Sequence, residues 1–203
     1  MKKQLKSFKL KTLAWVSVAL LLVPPAVTLP INILVFEHSL SQNFLVYLFV
    51  VIVGYIITIP VHEGLHALAA IIFGKVSPKN IKFGMVKEQL MFYCHCEGYM
   101  EAYRYRIMLL TPFLLTGLFP LIAATIWGNP LLIILFSMAI SGCAGDLVMY
   151  FETFKYNRNQ LIEDHPSAPA YYIVYGDDDV LPRDFHEVTE EEEKALMDSI
   201  KKN

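Results

Sequence analysis

The sequence predicts an all-α membrane protein of about four transmembrane helices, with a small cytoplasmic β-hairpin loop and a polar cytoplasmic C-terminal tail. Hydrophobic residues make up 55% of the 203 positions, above the roughly 45–50% of an ordinary soluble domain. Mean hydropathy is +0.45, and the apolar residues concentrate between positions 12 and 155. We therefore expect a membrane domain over residues 1–155, which includes a cytoplasmic loop at 74–106, and an acidic tail over 156–203.

Four apolar segments are long enough to cross a bilayer, which takes about 20 residues. Prolines at three positions, Pro24, Pro25 and Pro30, interrupt the first segment. No A-x-A-like cleavage site clearly follows that segment, so we expect a retained span rather than a signal peptide. The predicted spans are Thr12 to Phe36, Phe44 to Phe73, Ile107 to Trp127 and Leu131 to Phe154.

Basic residues in the loops predict the orientation of these spans. The first loop, 37–43, has no Lys or Arg, whereas the second loop, 74–106, has six. Five lysines precede the first span, and Lys155 and Arg158 follow the fourth. By the positive-inside rule, the N-terminus, the second loop and the C-terminal tail are cytoplasmic, in a multi-pass protein of the cell membrane.

Shorter patterns predict structure outside the spans. Ile81–Phe83 and Leu90–Tyr93 are β-prone runs separated by polar residues, which favours a hairpin in the second loop. Tyr171–Tyr175 is another strand candidate. Thr189 followed by Glu192 is a capping-box pattern, which predicts a short terminal helix.

Cysteine and charge patterns exclude some classes of function. Three cysteines, Cys94, Cys96 and Cys143, give no disulfide framework. We interpret Cys94 and Cys96 as ordinary loop residues that face the reducing cytoplasm. No basic patch carries interleaved aromatic residues, so nucleic acid is not an expected partner.

His62-Glu63-Gly64-Leu65-His66 carries the strongest functional signal, because it lies inside the second apolar span. Ionisable side chains are costly in that position. The spacing H-E-x-x-H on a helix places both histidines on one face, about 40° apart. Two imidazoles there can bind one metal ion, and the glutamate can reach a water on that metal. The pattern predicts a zinc hydrolase site, with His62 and His66 as ligands and Glu63 as base.

A catalytic zinc usually has three protein ligands, and Asp146 is the best candidate for the third. It is the carboxylate that lies deep within the other spans, and the small residues before it allow another helix to approach closely. In the predicted topology His62 and His66 lie about 7–11 residues from the cytoplasmic end of their span, and Asp146 about 8. Both sets are therefore expected at about the same depth.

Other interpretations remain open on the residues alone. The polar residues of the spans can instead form a hydrogen-bonded cluster that joins two helices. Thr111-Pro112 is compatible with a helix break that faces the site, or with a simple kink of the third span. In a strand, His95 would project away from the two cysteines beside it, so the three cannot easily bind one ion. The other possible ligands are His38, His95, Glu152, Glu163 and His165.

On these residues the chain resembles a small bacterial family of zincin-type membrane peptidases, a domain of unknown function. The resemblance covers roughly His62 to Tyr175. It rests on the H-E-x-x-H segment, on Gly145-Asp146 and on Asp164-His165-Pro166. That family is distantly similar to the site-2 protease clan of intramembrane metalloproteases, where an H-E-x-x-H pair and a later aspartate hold the metal. The resemblance implies the same roles for His62, His66 and Asp146, with Glu63 as catalytic base, although Gly145-Asp146-Leu147 departs from the L-D-G motif of site-2 proteases.

The leading functional hypothesis is a Zn²⁺-dependent, membrane-embedded endopeptidase that hydrolyses peptide bonds of membrane or membrane-proximal substrates. Its expected partners are the lipid bilayer and a peptide or membrane-protein substrate. One alternative is a non-catalytic zinc-binding scaffold or an inactive protease-like regulator. Another is a metal transporter, which would need ligands along a path, whereas the sequence offers one cluster.

Overall fold

The computed structural model of the chain describes residues 1–36, 44–86, 91–166, 168–177, 179 and 181–201. Most of these residues are helical, and they also include two small antiparallel sheets. The helices are α1 (Leu10–Phe36), α2 (Phe44–Ile72), α3 (Ala102–Pro112), α4 (Phe119–Ile126), α5 (Pro130–Gly142), α6 (Ala144–Glu152) and α7 (Glu190–Lys201). The strands are β1 (Lys2–Ser7), β2 (Ile81–Val86), β3 (Met91–Cys96), β4 (Tyr99–Glu101), β5 (Leu161–Asp164) and β6 (Ala170–Tyr175).

Three helical segments of the described chain are long and apolar enough to cross a membrane: Lys11–Val35, Leu45–Ile72 and Ala102–Ile126. A fourth qualifies if α5 and α6 count as one span, although they are bent by 47° at a short break. The protein thus has three or four helices able to span a bilayer. Their orientation in the membrane stays a prediction.

Helix α1 runs without interruption through Pro24, Pro25 and Pro30. Each proline removes one N–H donor from the helical hydrogen-bond pattern, and the helix nevertheless continues past all three. The hydroxyl of Thr28 also donates to the Pro24 carbonyl, at 2.9 Å. The three prolines therefore lie inside the helix and do not end it.

The third apolar segment begins at Ala102, earlier than the predicted Ile107. Arg106 lies in its first turns, and its guanidinium donates to the backbone carbonyls of Thr153 and Tyr156. Because these bonds satisfy the charged group, an arginine is compatible with the start of the segment.

Proline changes the geometry of the same segment further on. After Pro112 the chain forms a π-helical stretch over Phe113–Leu118 before α4 resumes the regular pitch. The hydroxyl of Thr116 donates to the Pro112 carbonyl, at 2.8 Å. A missing N–H inside a helix frees carbonyls in the preceding turn. Here the backbone hydrogen bonds after the proline change to the i→i+5 pattern of a π-helix.

The fourth apolar segment differs from the single span predicted over Leu131–Phe154. Helix α5 ends at Gly142, Cys143 leaves the helical conformation, and α6 begins at Ala144. Glycines at 142 and 145 lower the helix propensity on both sides of this break. The predicted segment is therefore bent within its length, and Asp146 lies in the first turn of its second helix.

The described residues form two compact units. One, the helical unit, comprises Leu10–His62 and Leu110–Val148. In it α1 packs against α5, and the hydroxyls of Ser17 and Ser141 are hydrogen-bonded at 2.8 Å. A Cβ on Gly117 would lie 2.6 Å from the Ile140 side chain, so this glycine permits the close approach of the π-helical stretch to α5.

The other, the sheet unit, comprises Met1–Lys9, Glu63–Leu109 and Met149–Asn203. Its four-stranded antiparallel sheet has the order β1-β6-β5-β4. Strand β6 is paired on both sides and is buried along its whole length. Strands β2 and β3 pair separately, with Ile81 opposite Cys96.

Several local predictions are confirmed. The hairpin strands are β2 and β3, and the strand candidate in the tail is β6; Leu90 lies outside the described residues. The capping box opens α7, where the Glu192 N–H donates to the Thr189 hydroxyl at 3.3 Å and the Thr189 N–H donates to the Glu192 carboxylate at 3.0 Å. The backbone bond from Thr189 lowers the pKa of Glu192. By contrast, the lysine-rich start was interpreted only as an orientation signal, and it forms β1.

Candidate metal centre

Helix α2 carries both histidines of the H-E-x-x-H segment. The helix is continuous from Phe44 to Ile72, and Pro60 lies inside it without ending it. His62 and His66 are therefore one turn apart on one face, as the spacing predicts. His66 is buried, and only 13% of the His62 side chain is exposed.

The His62 imidazole meets a carboxylate within the helical unit. Its Nε2 lies 3.0 Å from Oδ2 of Asp146, whose side chain is 15% exposed. Its Nδ1 lies 3.8 Å from Sγ of Cys143. Because the break at Cys143 starts α6, Asp146 lies in the first turn, where the helix dipole favours a negative charge. The same break thus brings both a thiol and a carboxylate to His62.

A backbone carbonyl orients the second histidine. Nδ1 of His66 donates to the carbonyl oxygen of Met108, at 3.1 Å. A carbonyl can only accept, so the proton is on Nδ1 and the lone pair of the neutral ring is on Nε2. Pro112, four residues beyond Met108, has no N–H to offer this carbonyl in an α-helical bond. Metal-binding histidines ordinarily have this arrangement, in which one nitrogen donates to a carbonyl or carboxylate and the other binds the ion.

One ligand atom from each of His62, His66 and Asp146 lies within 4.8 Å of the other two. Ligand atoms bound to a tetrahedral zinc at about 2.0–2.1 Å lie about 3.3–3.4 Å apart, close to the 3.0 Å between Nε2 of His62 and Oδ2 of Asp146. Two imidazoles and one carboxylate are a donor set that zinc takes in catalytic sites. The three side chains therefore fit a zinc ion.

Comparison with known proteins agrees with this chemistry. Residues 55–161, more than half of the chain, match the model of the family DUF3267, described as "Putative zincin peptidase". The chain belongs to this family. The stretch of this chain that matches the family model contains the whole H-E-x-x-H segment and Asp146. No curated protein and no solved structure matches the chain, and the more distant similarity to site-2 proteases stays a prediction.

The remaining residue of the zincin motif, Glu63, follows His62 on α2 and is half-buried. Successive residues of a helix are separated by about 100° around the axis. The glutamate is thus held on a rigid element beside the candidate metal ligands, as this motif requires of a base.

The other residues considered as ligands are engaged elsewhere. Within the described ranges, no further group of three or more His, Cys, Asp or Glu side chains is placed to hold a metal ion. His38 lies outside these ranges. The four others have these partners: His95 with Asp164, His165 with Tyr172, Glu163 with Lys3, and Glu152 with Lys155.

Sequence reasoning missed the Met108 carbonyl and the Cys143 thiol. The signal for Met108 was present, because the proline in Thr111-Pro112 deprives the carbonyl four residues earlier of its helical partner. We interpreted that dipeptide only as a break or a kink. Cys143 gave no comparable signal, since its contact with His62 depends on the break between α5 and α6.

We predict that the purified protein binds one zinc ion per chain and that His62→Ala and Asp146→Ala each lower zinc affinity by more than about 100-fold. Loss of a direct ligand should exceed the 10–100-fold effect of losing an outer partner. Metal analysis and competition with a chromogenic chelator measure this. Asp164→Ala is the matched control, because that carboxylate is 14% exposed and also faces an imidazole. Full zinc occupancy in Asp146→Ala would show that Asp146 is not a zinc ligand.

Proposed function

We propose that this protein is a zinc-dependent, membrane-embedded endopeptidase that hydrolyses peptide bonds of membrane or membrane-proximal proteins. The observation that carries the proposal is the 3.0 Å approach of His62 Nε2 to Asp146 Oδ2, because it adds a carboxylate to the two imidazoles on α2. Membership in a family described as zincin peptidases supports the reaction. The long apolar helices support its location in a bilayer.

His62, His66 and Asp146 would hold the ion. One carboxylate and two neutral imidazoles leave the centre with a net positive charge, which the reaction needs for polarising a carbonyl. When bound, zinc supplies Lewis acidity, which acidifies a water molecule and polarises the scissile carbonyl. The hydrogen bond from His66 Nδ1 to Met108 keeps that ring in the tautomer and orientation suited to binding.

Glu63 would move the proton. Its carboxylate accepts a proton from the attacking water and then donates it to the nitrogen of the leaving amine. A zinc-stabilised scaffold or an inactive relative has no need of a base beside the metal. The presence of Glu63 next to His62 therefore favours the enzyme over these alternatives.

The substrate must be extended at the scissile bond, because a helical peptide bond is shielded by its own hydrogen bonds. We propose that the hairpin of β2 and β3 holds an extended segment by adding it as a further strand. Phe83 and Phe92 are exposed on this hairpin and offer apolar contacts for such a segment. Main-chain hydrogen bonds would then give affinity that depends little on substrate sequence.

We also propose that the N-terminus, the second loop and the tail are cytoplasmic. The support is the distribution of Lys and Arg among the loops. In this orientation water reaches the zinc ligands from the cytoplasmic side.

The role of Glu63 predicts that Glu63→Gln retains zinc but lowers the rate of cleavage by about 10²–10⁴-fold, the usual contribution of a positioned acid–base group. Peptide bonds cleaved in a host membrane are detected as new N-termini by mass spectrometry, with wild type against variant. Glu152→Gln is the matched control, since Glu152 is also a half-buried helical glutamate. Equal numbers of new N-termini from wild type and Glu63→Gln would refute the assignment.

The proposed orientation predicts opposite signals from reporters fused after Asn43 and after Lys87. A phosphatase that is active only outside the cell should be active after Asn43 and inactive after Lys87. A fluorescent protein that folds only in the cytoplasm should give the reverse. An external second loop would contradict both the orientation and the argument from depth.

A further inference from the structure

Strand β3 brings two thiols to one side of the sheet unit. Alternate residues of a strand project to the same face, so Cys94 and Cys96 share a face of β3. Cys94, Cys96 and Met108 all belong to one cluster of buried side chains. Sγ of Cys96 also lies 3.9 Å from Sδ of Met108, on α3. Three sulfur atoms from two elements of one unit are thus brought together.

These sulfurs are buried and are not joined by a disulfide. The exposed fractions of Cys94, Cys96 and Met108 are 9%, 0% and 3%, and both cysteines are free. The imidazole between them in sequence does not join the group, because His95 faces Asp164 at 3.4 Å. The donor set is therefore made only of sulfur, unlike the nitrogen and oxygen atoms of the zinc ligands.

We propose that Cys94, Cys96 and Met108 form a second metal site, which binds the soft monovalent ion copper(I). Thiolate and thioether ligands select copper(I), whereas imidazole and carboxylate suit zinc. Three sulfurs at about 2.3 Å from an ion in a trigonal plane lie about 4.0 Å apart, close to the 3.9 Å between Cys96 and Met108. On binding, two sulfur–metal bonds replace two S–H bonds, the thioether adds a third, and two protons are released.

Met108 links this site to the zinc ligands. Its sulfur contacts Cys96, and its carbonyl accepts the hydrogen bond from His66. A copper ion bound by Met108 would therefore restrain the residue that orients His66. The proposal itself does not depend on peptidase activity, because it rests only on the three sulfurs.

The test is an anaerobic titration of the reduced full-length protein in detergent with copper(I), in competition with a chromogenic copper(I) chelator. The His62→Ala background removes copper binding at the zinc ligands. We expect one copper(I) per chain and, by X-ray absorption, three sulfur neighbours. Cys96→Ser should abolish binding, and Met108→Leu should weaken it at least tenfold and reduce the sulfur neighbours to two.

Met100→Leu is the matched control, since Met100 is also 3% exposed and the same swap conserves volume, so both leucine variants should fold. It should bind copper as the background protein does. Binding that survives Cys96→Ser, or an equal effect of Met108→Leu and Met100→Leu, would overturn the proposal. Zinc content measured on the wild-type and Met108→Leu proteins keeps this result separate from the zinc assignment.

Discussion

The structure depends on how polar side chains find partners inside apolar helices. A polar group without a hydrogen bond in such surroundings costs roughly 2–7 kcal/mol, and a charge costs more. His62 meets Asp146, and His66 meets the carbonyl of Met108. Each contact lowers the cost of keeping an imidazole in α2, and each also directs a ring nitrogen or a carboxylate oxygen as a metal ion requires. Stability of the helix and assembly of the ligand set therefore follow from the same contacts.

Two departures from regular helix make these contacts possible. Pro112 removes the N–H that would compete for the Met108 carbonyl, and the chain widens into the π-helical stretch after it. The break at Cys143 gives Asp146 a position in the first turn of α6, with a thiol beside His62. Irregular backbone in apolar segments is costly and often marks functional positions. The irregularity at Pro112 thus serves His66, and the break at Cys143 serves His62.

Much of the candidate site could be predicted from sequence, because H-E-x-x-H spacing translates directly into one face of a helix. Asp146 was chosen because it is a carboxylate deep within another predicted span, and its depth agreed with that of the histidines, yet the segment is broken at Cys143. Its 3.0 Å contact with His62 therefore depends on a bend that depth alone does not describe. Strand β1 was missed because Lys2–Ser7 lacks alternating apolar residues. It pairs through backbone hydrogen bonds with β6, which lies about 170 residues later in the sequence. A local sequence pattern does not encode a pairing over that separation.

X-ray absorption at the zinc edge of the purified, zinc-loaded protein tests the central claim most directly, because it reports the atoms bound to the ion. We predict about four nitrogen and oxygen neighbours, with the multiple scattering of two imidazoles and no sulfur. This shell follows from His62, His66 and Asp146 with one further oxygen from water. A sulfur neighbour, or the signature of a single imidazole, would contradict the assignment.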